Sequence, residues 1–449
     1  MPSSLPPEIW RIIFDHTTLA PRPWEGGLYR PFEPVLELYE TPGWQQRESL
    51  RRRTCLALCR VSRLFRAIAT ELLYRDVCVC DVEGLESLLS GLARSAREAT
   101  TPTLGSYIRR LELPGPARMA TTPLVSTLRP TSESLGHQLV DLLAYCPNLE
   151  VFVRPALPFE AASVAFWGTL AHTPITLKHP LKSLRRLEWH ETDLEYRLCG
   201  ATQAARLREL VSYAPHLRYL FLCTDRGDAL SELTPILTRS LRTLRLYRLH
   251  SETGPGHGSS PTRPHRHRRA SSSLSCGPSP PPKTALSPPS VPRIRHLILH
   301  SAPSTPILDL LDTVGKDIRV VELAFAPQAT FSPNQMRRIL LRTPAVEELA
   351  YNLGAPEISS LPSGVQATSV RRVRLRVNPD DWNPSRPVMC AQLEVLLGDS
   401  FPGLRELVLH DSTGWLVKRD SARRLLKRLV EKGRVLLDED GSRLEIPSL

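Results

Sequence analysis

Two short stretches bring together residue types that could do chemistry. In HETD, His190, Glu191 and Asp193 combine an imidazole with two carboxylates, the groups used in acid–base catalysis and metal binding. They directly follow a strand signal, where polar residues usually form a turn, so we expect no catalytic or metal role for them. The glycines of GPGHG at 254–258 are spaced like a nucleotide loop, but no strand precedes them and no helix follows. We therefore predict a protein that is not an enzyme and that needs no cofactor or metal.

A third stretch, RPHRHRRAS, lies within residues 251–292, which hold ten prolines and ten serines. Such a segment has little to bury, so we predict a disordered linker. Its arginines could serve as a nuclear localisation patch. Ser271 follows Arg-Arg-Ala, as a basophilic kinase would require, whereas Ser279 and Ser287 precede prolines; phosphate at any of them would cancel local positive charge. An inert spacer is the alternative.

Composition places the protein in a reducing compartment and argues against a membrane protein. The 449 residues contain no long uninterrupted apolar run, and the nine cysteines, an odd number, show no paired zinc-binding spacing. We therefore expect a cytoplasmic or nuclear protein. The net charge is +12, of which the linker supplies +4 through five cations and one glutamate. One third of the excess charge thus lies outside any shaped binding face, which weakens the case for nucleic acid.

A strand signal of the form apolar-x-x-apolar-x-apolar recurs along the chain. In four copies a helical run ends near a proline, and the strand signal begins at a fixed number of residues after that proline. Each unit is therefore predicted to be a helix, a tight turn and a short strand. The copies are IRRLEL at 108, LRRLEW at 184, LRYLFL at 217, LRTLRL at 241, IRHLIL at 294, IRVVEL at 318, VEELAY at 346, VRRVRL at 370, LRELVL at 404 and the degenerate LEVFVR at 149. Units that cannot bury their own apolar faces must stack side by side.

This pattern resembles an irregular leucine-rich-repeat solenoid over roughly residues 105–412. The predicted fold class is α/β, with a first repeat half at 81–250 and a second repeat half plus a C-terminal cap at 293–449, on either side of the linker. The alternative is a generic α/β domain with alternating strands. The asparagine that follows the strand in regular repeats is missing, which argues against regular curvature.

One position in each strand should point to the open, concave face of such a solenoid. Its residues mix acidic, basic and apolar types, which suits a protein partner better than nucleic acid. The positions are Glu112, Glu188, Phe221, Arg245, Ile298, Glu322, Ala350, Arg374 and Val408. The candidate target-binding residues are the charged or aromatic ones: Glu112, Glu188, Phe221, Arg245, Glu322 and Arg374. Arg372, Arg374 and Arg376 share one side of a strand, and we interpret them as a solvated charged face.

The N-terminal stretch LPPEIWRIIF predicts a compact apolar helix. Pro7 suits the first helical position, and Glu8 favours the helix dipole in the first turn. Ile9, Ile12 and Ile13 share one face. Beyond a proline-rich stretch at 17–53, the residues CLALCRVSRLFRAIATELLYRDV at 55–77 form a second helical pattern, capped by its serine at position 62 and running into a VCVC strand.

Together these pieces resemble an F-box, and in particular the F-box-like proteins of fungi. The family begins Leu-Pro-x-Glu-Ile, continues with Val-Ser/Cys-x-x-Trp and closes with Leu-Trp/Tyr. This chain matches at Leu5, Pro6, Glu8 and Ile9, then at Val61, Ser62 and Phe65, then at Leu73 and Tyr74. Phe65 replaces the usual tryptophan, and an insertion at 17–53 separates the first helix from the other two. The resemblance spans about residues 1–80.

The resemblance implies a non-catalytic substrate receptor of a Skp–cullin–F-box ubiquitin ligase. Its partners would be the Skp adaptor, the cullin scaffold and an unknown target protein, with neither nucleic acid nor membrane. The adaptor would contact Leu5, Pro6, Ile9 and Ile13, supported by Val61, Phe65, Leu73 and the closing Tyr74. The alternative is a repeat scaffold without ligase association, whose N-terminal helices only cap the solenoid.

Overall fold

The protein is described by a computed structural model. The described residues are 5–18, 42–79, 82–98, 102–113, 132–154, 173–190, 201–223, 240–247, 293–300, 303, 305–324, 333–353, 366–377, 386–411 and 414–446. The linker at 251–292, with Ser271, Ser279 and Ser287, lies outside them, as do Glu191 and Asp193.

One sheet of twelve strands runs through the described part of the chain, and its strands follow chain order. Every neighbouring pair is parallel, as a stack of helix–turn–strand units requires. The strands are β1 (Asp76–Cys78), β2 (Arg110–Glu112), β3 (Val151–Arg154), β4 (Arg186–His190), β5 (Tyr219–Cys223), β6 (Thr243–Tyr247), β7 (His296–Leu299), β8 (Val320–Leu323), β9 (Glu348–Asn352), β10 (Arg372–Arg376), β11 (Glu406–His410) and β12 (Val435–Asp438). All ten predicted repeat strands are present.

Helices cover one face of this sheet. The predicted helix–proline–strand units are confirmed, because helices end two to five residues before Pro147, Pro215, Pro344 and Pro402 and strands begin four residues after each proline. Beyond the N-terminal helices, the helices within the described ranges are α4 (Val82–Arg97), α5 (Leu104–Tyr107), α6 (Ser132–Tyr145), α7 (Ala201–Ser212), α8 (Thr305–Val314), α9 (Pro333–Arg342), α10 (Arg386–Leu397) and α11 (Asp420–Glu431), and a 3-10 turn spans Gly315–Asp317.

The core lies between the helices and the sheet. Aligned apolar residues of successive strands form a continuous row on the helix side, as Leu187, Leu220, Leu244 and Leu297 do, each 0–1% exposed. In the degenerate copy, Arg154 takes a core position. It is buried, with its guanidinium 4.6 Å from the ring centre of Trp189, so a cation–π contact replaces the missing apolar side chain.

The sheet extends beyond the predicted limits of 105–412 at both ends. β1 precedes them and falls within the segment predicted as the F-box-like domain, while β12 follows them. The repeat pattern did not include VLLD at β12 because it ends on an aspartate. Residues 442–446 cover the outer edge of β12, where Leu444 N–H donates to the Leu436 carbonyl at 2.9 Å. The C-terminal edge of the sheet is thereby closed.

Near the N-terminus, three helices of the described residues form the helical module: α1 (Pro7–Thr18), α2 (Pro42–Leu58) and α3 (Arg63–Arg75). The predicted insertion at 17–53 is too long, because α2 begins at Pro42, a residue type favoured in the first helical turn. The predicted cap is confirmed, since Ser62 Oγ accepts from Phe65 N–H at 3.1 Å.

Two arginines of α2 tie the module to the first strand of the sheet. Arg51, only 6% exposed, donates to the Leu72 carbonyl at 2.9 Å and to the Asp76 carbonyl at 3.0 Å. Arg52 donates to the Cys78 carbonyl at 3.0 Å. In β1 the carbonyls of Asp76 and Cys78 point away from β2, so the two guanidiniums satisfy an otherwise open strand edge.

Replacing Arg51 with alanine is therefore expected to lower the free energy of unfolding by about 2 kcal/mol, because the buried Leu72 carbonyl and the part-buried Asp76 carbonyl lose their charged donor. Arg53→Ala, two positions away on the same helix and exposed, is the matched control and should change it by less than about 0.5 kcal/mol. Urea unfolding followed by circular dichroism measures both. Equal effects would show that Arg51 does not stabilise the strand edge.

Candidate functional site: the helical module and the outer face of the sheet

In the helical module, α1 and α3 lie side by side and run in the same direction. Arg11 forms an ion pair with Glu71 at 2.5 Å, and one turn later Asp15 pairs with Arg75 at 3.2 Å. Both helices therefore begin at the same end of the module. The turn that follows α2 lies at this end too, because it leads directly into α3.

An aromatic trio holds the module together. The ring centres of Trp10 and Phe65 are 4.8 Å apart, and Phe14 meets Phe65 edge-on at 4.9 Å. Ile13 and Leu73 pack against the same small core. Tyr74 instead packs against the main core of the solenoid.

The predicted adaptor-binding residues thus divide into two groups. Ile13, Phe65, Leu73 and Tyr74 are partly buried within the protein, so they support the module rather than form its free surface. Leu5, Pro6, Ile9 and Val61 are exposed, as expected from the resemblance.

The helical module exposes more apolar side chains than these predicted residues. Of the ten large apolar side chains most exposed in the described part of the chain, seven belong to residues 5–64. We call them the apolar face: Leu5, Ile9, Ile12, Leu50, Leu56, Val61 and Leu64, with Ile12 at 53% and Val61 at 64% exposed. Most lie at the end where α1 and α3 begin. The sequence prediction did not assign Ile12, Leu50, Leu56 or Leu64 to the adaptor surface; Ile12 was recognised only as sharing a helical face with Ile9 and Ile13.

Exposed arginines alternate along the chain with residues of the apolar face. Residues 42–75 contain eight arginines and two glutamates, a net charge of +6, half of the total of +12. Arg53, Arg60, Arg63 and Arg66 are exposed there. An apolar centre with a cationic border favours a partner surface that is apolar and acidic.

The face of the sheet away from the helices, the outer face, carries the predicted target-binding residues. The expectation that they are open to solvent is wrong for five of six: Glu112, Glu188, Phe221, Arg245 and Glu322 are each at most 7% exposed. Only Arg374 remains part-exposed, with 18% of its side chain accessible. The apolar positions Ile298, Ala350 and Val408 are buried as well.

Side chains of the outer face bury one another. Arg186 pairs with Glu188 at 2.6 Å while its guanidinium lies 4.3 Å from the ring centre of Tyr219. Arg245 Nε donates to Nε2 of His300 at 2.8 Å. Parallel strands lie about 4.8 Å apart, so long side chains from neighbouring strands cover each other's polar groups.

His190 belongs to this packed face rather than to a turn. It is the last residue of β4, is 3% exposed and contacts the ring of Phe221 edge-on at 4.5 Å. Burial, opposed by Glu188 and assisted by Arg154 and Arg245, lowers its pKa to about 4. Among the described residues, no cluster of His, Cys, Asp and Glu could hold a metal ion.

The lowered pKa of His190 makes stability depend on pH. The unfolded chain takes up a proton near pH 6.5, whereas the folded chain does so only near 4, so stability is full above pH 6.5 and falls as pH drops towards 4. Burial and Arg245 also depress the pKa of His300, which acts in the same direction. Urea unfolding at pH 7 and pH 5 should show this loss. It should be smaller in His190→Gln and unchanged in His137→Gln, which alters an exposed histidine; equal losses in all three would contradict the assignment.

The three arginines of β10 are not a simple solvated face. Arg372 pairs with Glu406 at 2.5 Å and with Glu348 at 3.3 Å, and Arg374 pairs with Glu348 at 2.5 Å. Arg376 is half-buried beside them. The strand therefore neutralises two of its three cations through its neighbours.

No family model and no curated protein matches the chain. Among solved structures, it is similar to the leucine-rich repeat-containing protein LegL7 from Legionella pneumophila, with 16% sequence identity and a TM-score of 0.36 over 71% of this chain and 91% of that chain. No helix in the described ranges is both long and apolar enough to span a membrane. The parallel strand order and the row of core leucines define the fold. By these features the chain is a leucine-rich-repeat-type solenoid whose N-terminal edge is capped by three helices.

Proposed function

We propose that this protein is the substrate receptor of a Skp–cullin–F-box ubiquitin ligase. The helical module would bind the Skp adaptor, and the solenoid would hold the target protein. The observation that carries this proposal is the apolar face: Ile9, Ile12 and Val61 are exposed on a module that already has its own core.

The apolar face is suited to a stable interface. Burying one exposed isoleucine or leucine side chain contributes about 1.5–3 kcal/mol before the entropy of association is subtracted. Several such side chains at one end of the module can supply the buried centre of an interface, and the surrounding arginines can form its polar rim. The F-box-like motif residues Leu5, Ile9 and Val61 belong to the apolar face, and Pro6 of the same motif is exposed beside Leu5.

The mechanism would be positioning rather than chemistry by this chain. α3 ends at Arg75 and β1 starts at Asp76, so no loop separates the adaptor-binding helices from the sheet. Arg51 and Arg52 fasten the same junction. A target on the solenoid would thus keep one orientation relative to the adaptor, which raises its effective concentration at the ubiquitin-carrying enzyme. The protein would act in the cytoplasm or nucleus.

A plain repeat scaffold is the second candidate, and the junction itself favours it. The module closes the open edge of β1, which is useful without any adaptor. Capping alone, however, does not require isoleucines on the side facing solvent. The two functions differ in whether the apolar face binds an adaptor.

Co-purification decides between them. We would mix the full chain with a purified Skp adaptor and a cullin scaffold and separate the complexes by size. A complex of one copy each, with no cullin retained when the adaptor is omitted, is the expected result. Failure of the folded chain to bind the adaptor at micromolar concentration would leave the scaffold function.

A further inference from the structure

An arginine immediately precedes each of four neighbouring strands at the amino edge of the sheet. Arg185, Arg218, Arg242 and Arg295 stand directly before β4, β5, β6 and β7, and we call them the arginine row. They are in register, because the backbone N–H of each of the last three donates to the carbonyl of the preceding member at 2.8 Å. Strand spacing places neighbouring members about 4.8 Å apart at the backbone, so the row is about 14 Å long.

The arginine row has no carboxylate partner. Within the described residues, no Asp or Glu side chain lies at ion-pair distance from any of its four guanidiniums. Arg218 and Arg295 are exposed, and Arg185 and Arg242 are half-buried. Four like charges at this spacing repel one another, and a bound anion would relieve that repulsion.

Ion pairs limit the row at both ends. At the equivalent positions before β2 and β3, Arg109 pairs with Glu150 at 3.2 Å. Before β8 and β9, Arg319 pairs with Glu347 at 3.2 Å. The same position of the repeat is therefore neutralised on either side, while the arginine row between the two pairs keeps its full charge.

The surroundings of the arginine row are strongly positive as well. The described residues between 173 and 300 contain eleven lysines and arginines and two glutamates, a net charge of +9. Both glutamates are already engaged: Glu188 is buried beside Arg186, and Glu209 pairs with Arg206 at 2.5 Å. A partner that brings carboxylates to this edge of the sheet therefore meets a field that attracts them.

We propose that the arginine row binds a short acidic segment of a partner protein, whose Asp or Glu carboxylates pair with the four guanidiniums. The planar guanidinium matches a carboxylate through two parallel hydrogen bonds. An extended segment of about five residues is as long as the row. Under the proposed function this segment would belong to the target protein. Only that assignment rests on the proposed function, because the binding itself needs no adaptor.

A nucleic acid fits the arginine row less well. Proteins that hold a duplex by its backbone can make about six to ten phosphate contacts, more than four cations over about 14 Å can offer. Proteins that bind single strands add aromatic side chains on which the bases stack, and the four positions of the row hold none. The limited length of the row favours a short peptide.

Fluorescence anisotropy with labelled peptides and the full chain tests the proposal. A peptide of six glutamates should bind saturably at pH 7 and low salt, whereas a peptide of six glutamines should not. Added sodium chloride should weaken the binding, because it screens exposed charges. Absence of saturable binding by the glutamate peptide, or equal binding by the glutamine peptide, would overturn the proposal.

Paired variants locate the binding. Arg218→Gln with Arg295→Gln should weaken binding of the glutamate peptide about tenfold, since two of the four ion pairs are lost. Both side chains are exposed, so the circular dichroism spectrum should not change. Arg371→Gln with Arg405→Gln is the matched control: it removes two exposed charges at the equivalent positions before β10 and β11, outside the row. Equal losses in the two variants would overturn the proposal, because binding would then follow net charge alone.

A labelled oligonucleotide of six thymidines distinguishes the two kinds of polyanion. It should bind more weakly than the glutamate peptide, because the row offers no surface for stacking bases. Tighter binding of the oligonucleotide, weakened by Arg218→Gln with Arg295→Gln, would assign the row to nucleic acid and overturn the acidic-segment proposal. No adaptor is present in these titrations, so their failure and the failure of the ligase function are separate results.

Discussion

Replacing Glu188 with alanine is expected to lower the free energy of unfolding by about 3–5 kcal/mol. Glu188 is 5% exposed, and its carboxylate lies 2.6 Å from Nε of Arg186. Burial alone would raise its pKa, but Arg186, Arg110 and His190 together hold the pKa below its usual value, so the group is charged in the folded protein. Removing it takes this carboxylate away from the Arg186 guanidinium, whose side chain is only 11% exposed.

An exposed ion pair of the same chemistry is the control for this change. Arg319 and Glu347 are 3.2 Å apart, with 49% and 56% of their side chains accessible. Glu347→Ala should therefore change stability by no more than about 1 kcal/mol. The double variant Arg186→Leu, Glu188→Leu should recover part of the loss, because no uncompensated charge remains. Urea unfolding is the measurement, and equal losses for Glu188→Ala and Glu347→Ala would show that burial does not strengthen the pair.

Introducing Ile9→Asp and Ile12→Asp together is expected to weaken adaptor binding at least about 100-fold, or about 2.8 kcal/mol. Both side chains would be buried at the interface, so the variant loses apolar burial and also places two carboxylates there. Folding should be little affected, because both isoleucines are exposed in the free chain, at 41% and 53%. Calorimetric titration with the Skp adaptor measures the affinity, and circular dichroism checks the fold.

Two single variants separate binding from folding. Val430→Asp changes another exposed apolar side chain, on α11 at the far end of the solenoid, and should leave the affinity unchanged. Ile13→Asp should destabilise the module, because Ile13 packs against its core. Undiminished adaptor binding by the folded Ile9→Asp, Ile12→Asp variant would exclude the apolar face as the docking surface.

Local patterns were sufficient to predict the repeat units. The apolar alternation in each strand and the proline after each helix are properties of short segments, so the ten repeat strands and the four helix–turn–strand units could be located. Side-by-side stacking of the units was predicted because such units cannot bury their own apolar faces, and the parallel sheet in chain order agrees with it. β12 was missed since its last residue, Asp438, breaks the pattern.

Burial between elements could not be predicted in the same way. Ile9, Ile12 and Ile13 share a helical face in sequence, yet only Ile13 packs against the module core, because the position of α3 decides which part of that face is covered. The outer face shows the same limit. The pattern of each strand alone predicts that Glu188 and Arg245 face solvent. In the folded protein, side chains from adjacent strands bury both residues.

Hydrogen exchange of the full chain, with and without a Skp adaptor, tests the proposed docking most directly. Amides in residues 5–18 and 56–66 should become protected when the adaptor binds, while those of β9–β11 should not change. Protection confined to the sheet, or no protection at micromolar adaptor, would contradict the assignment of the helical module as the adaptor-binding surface.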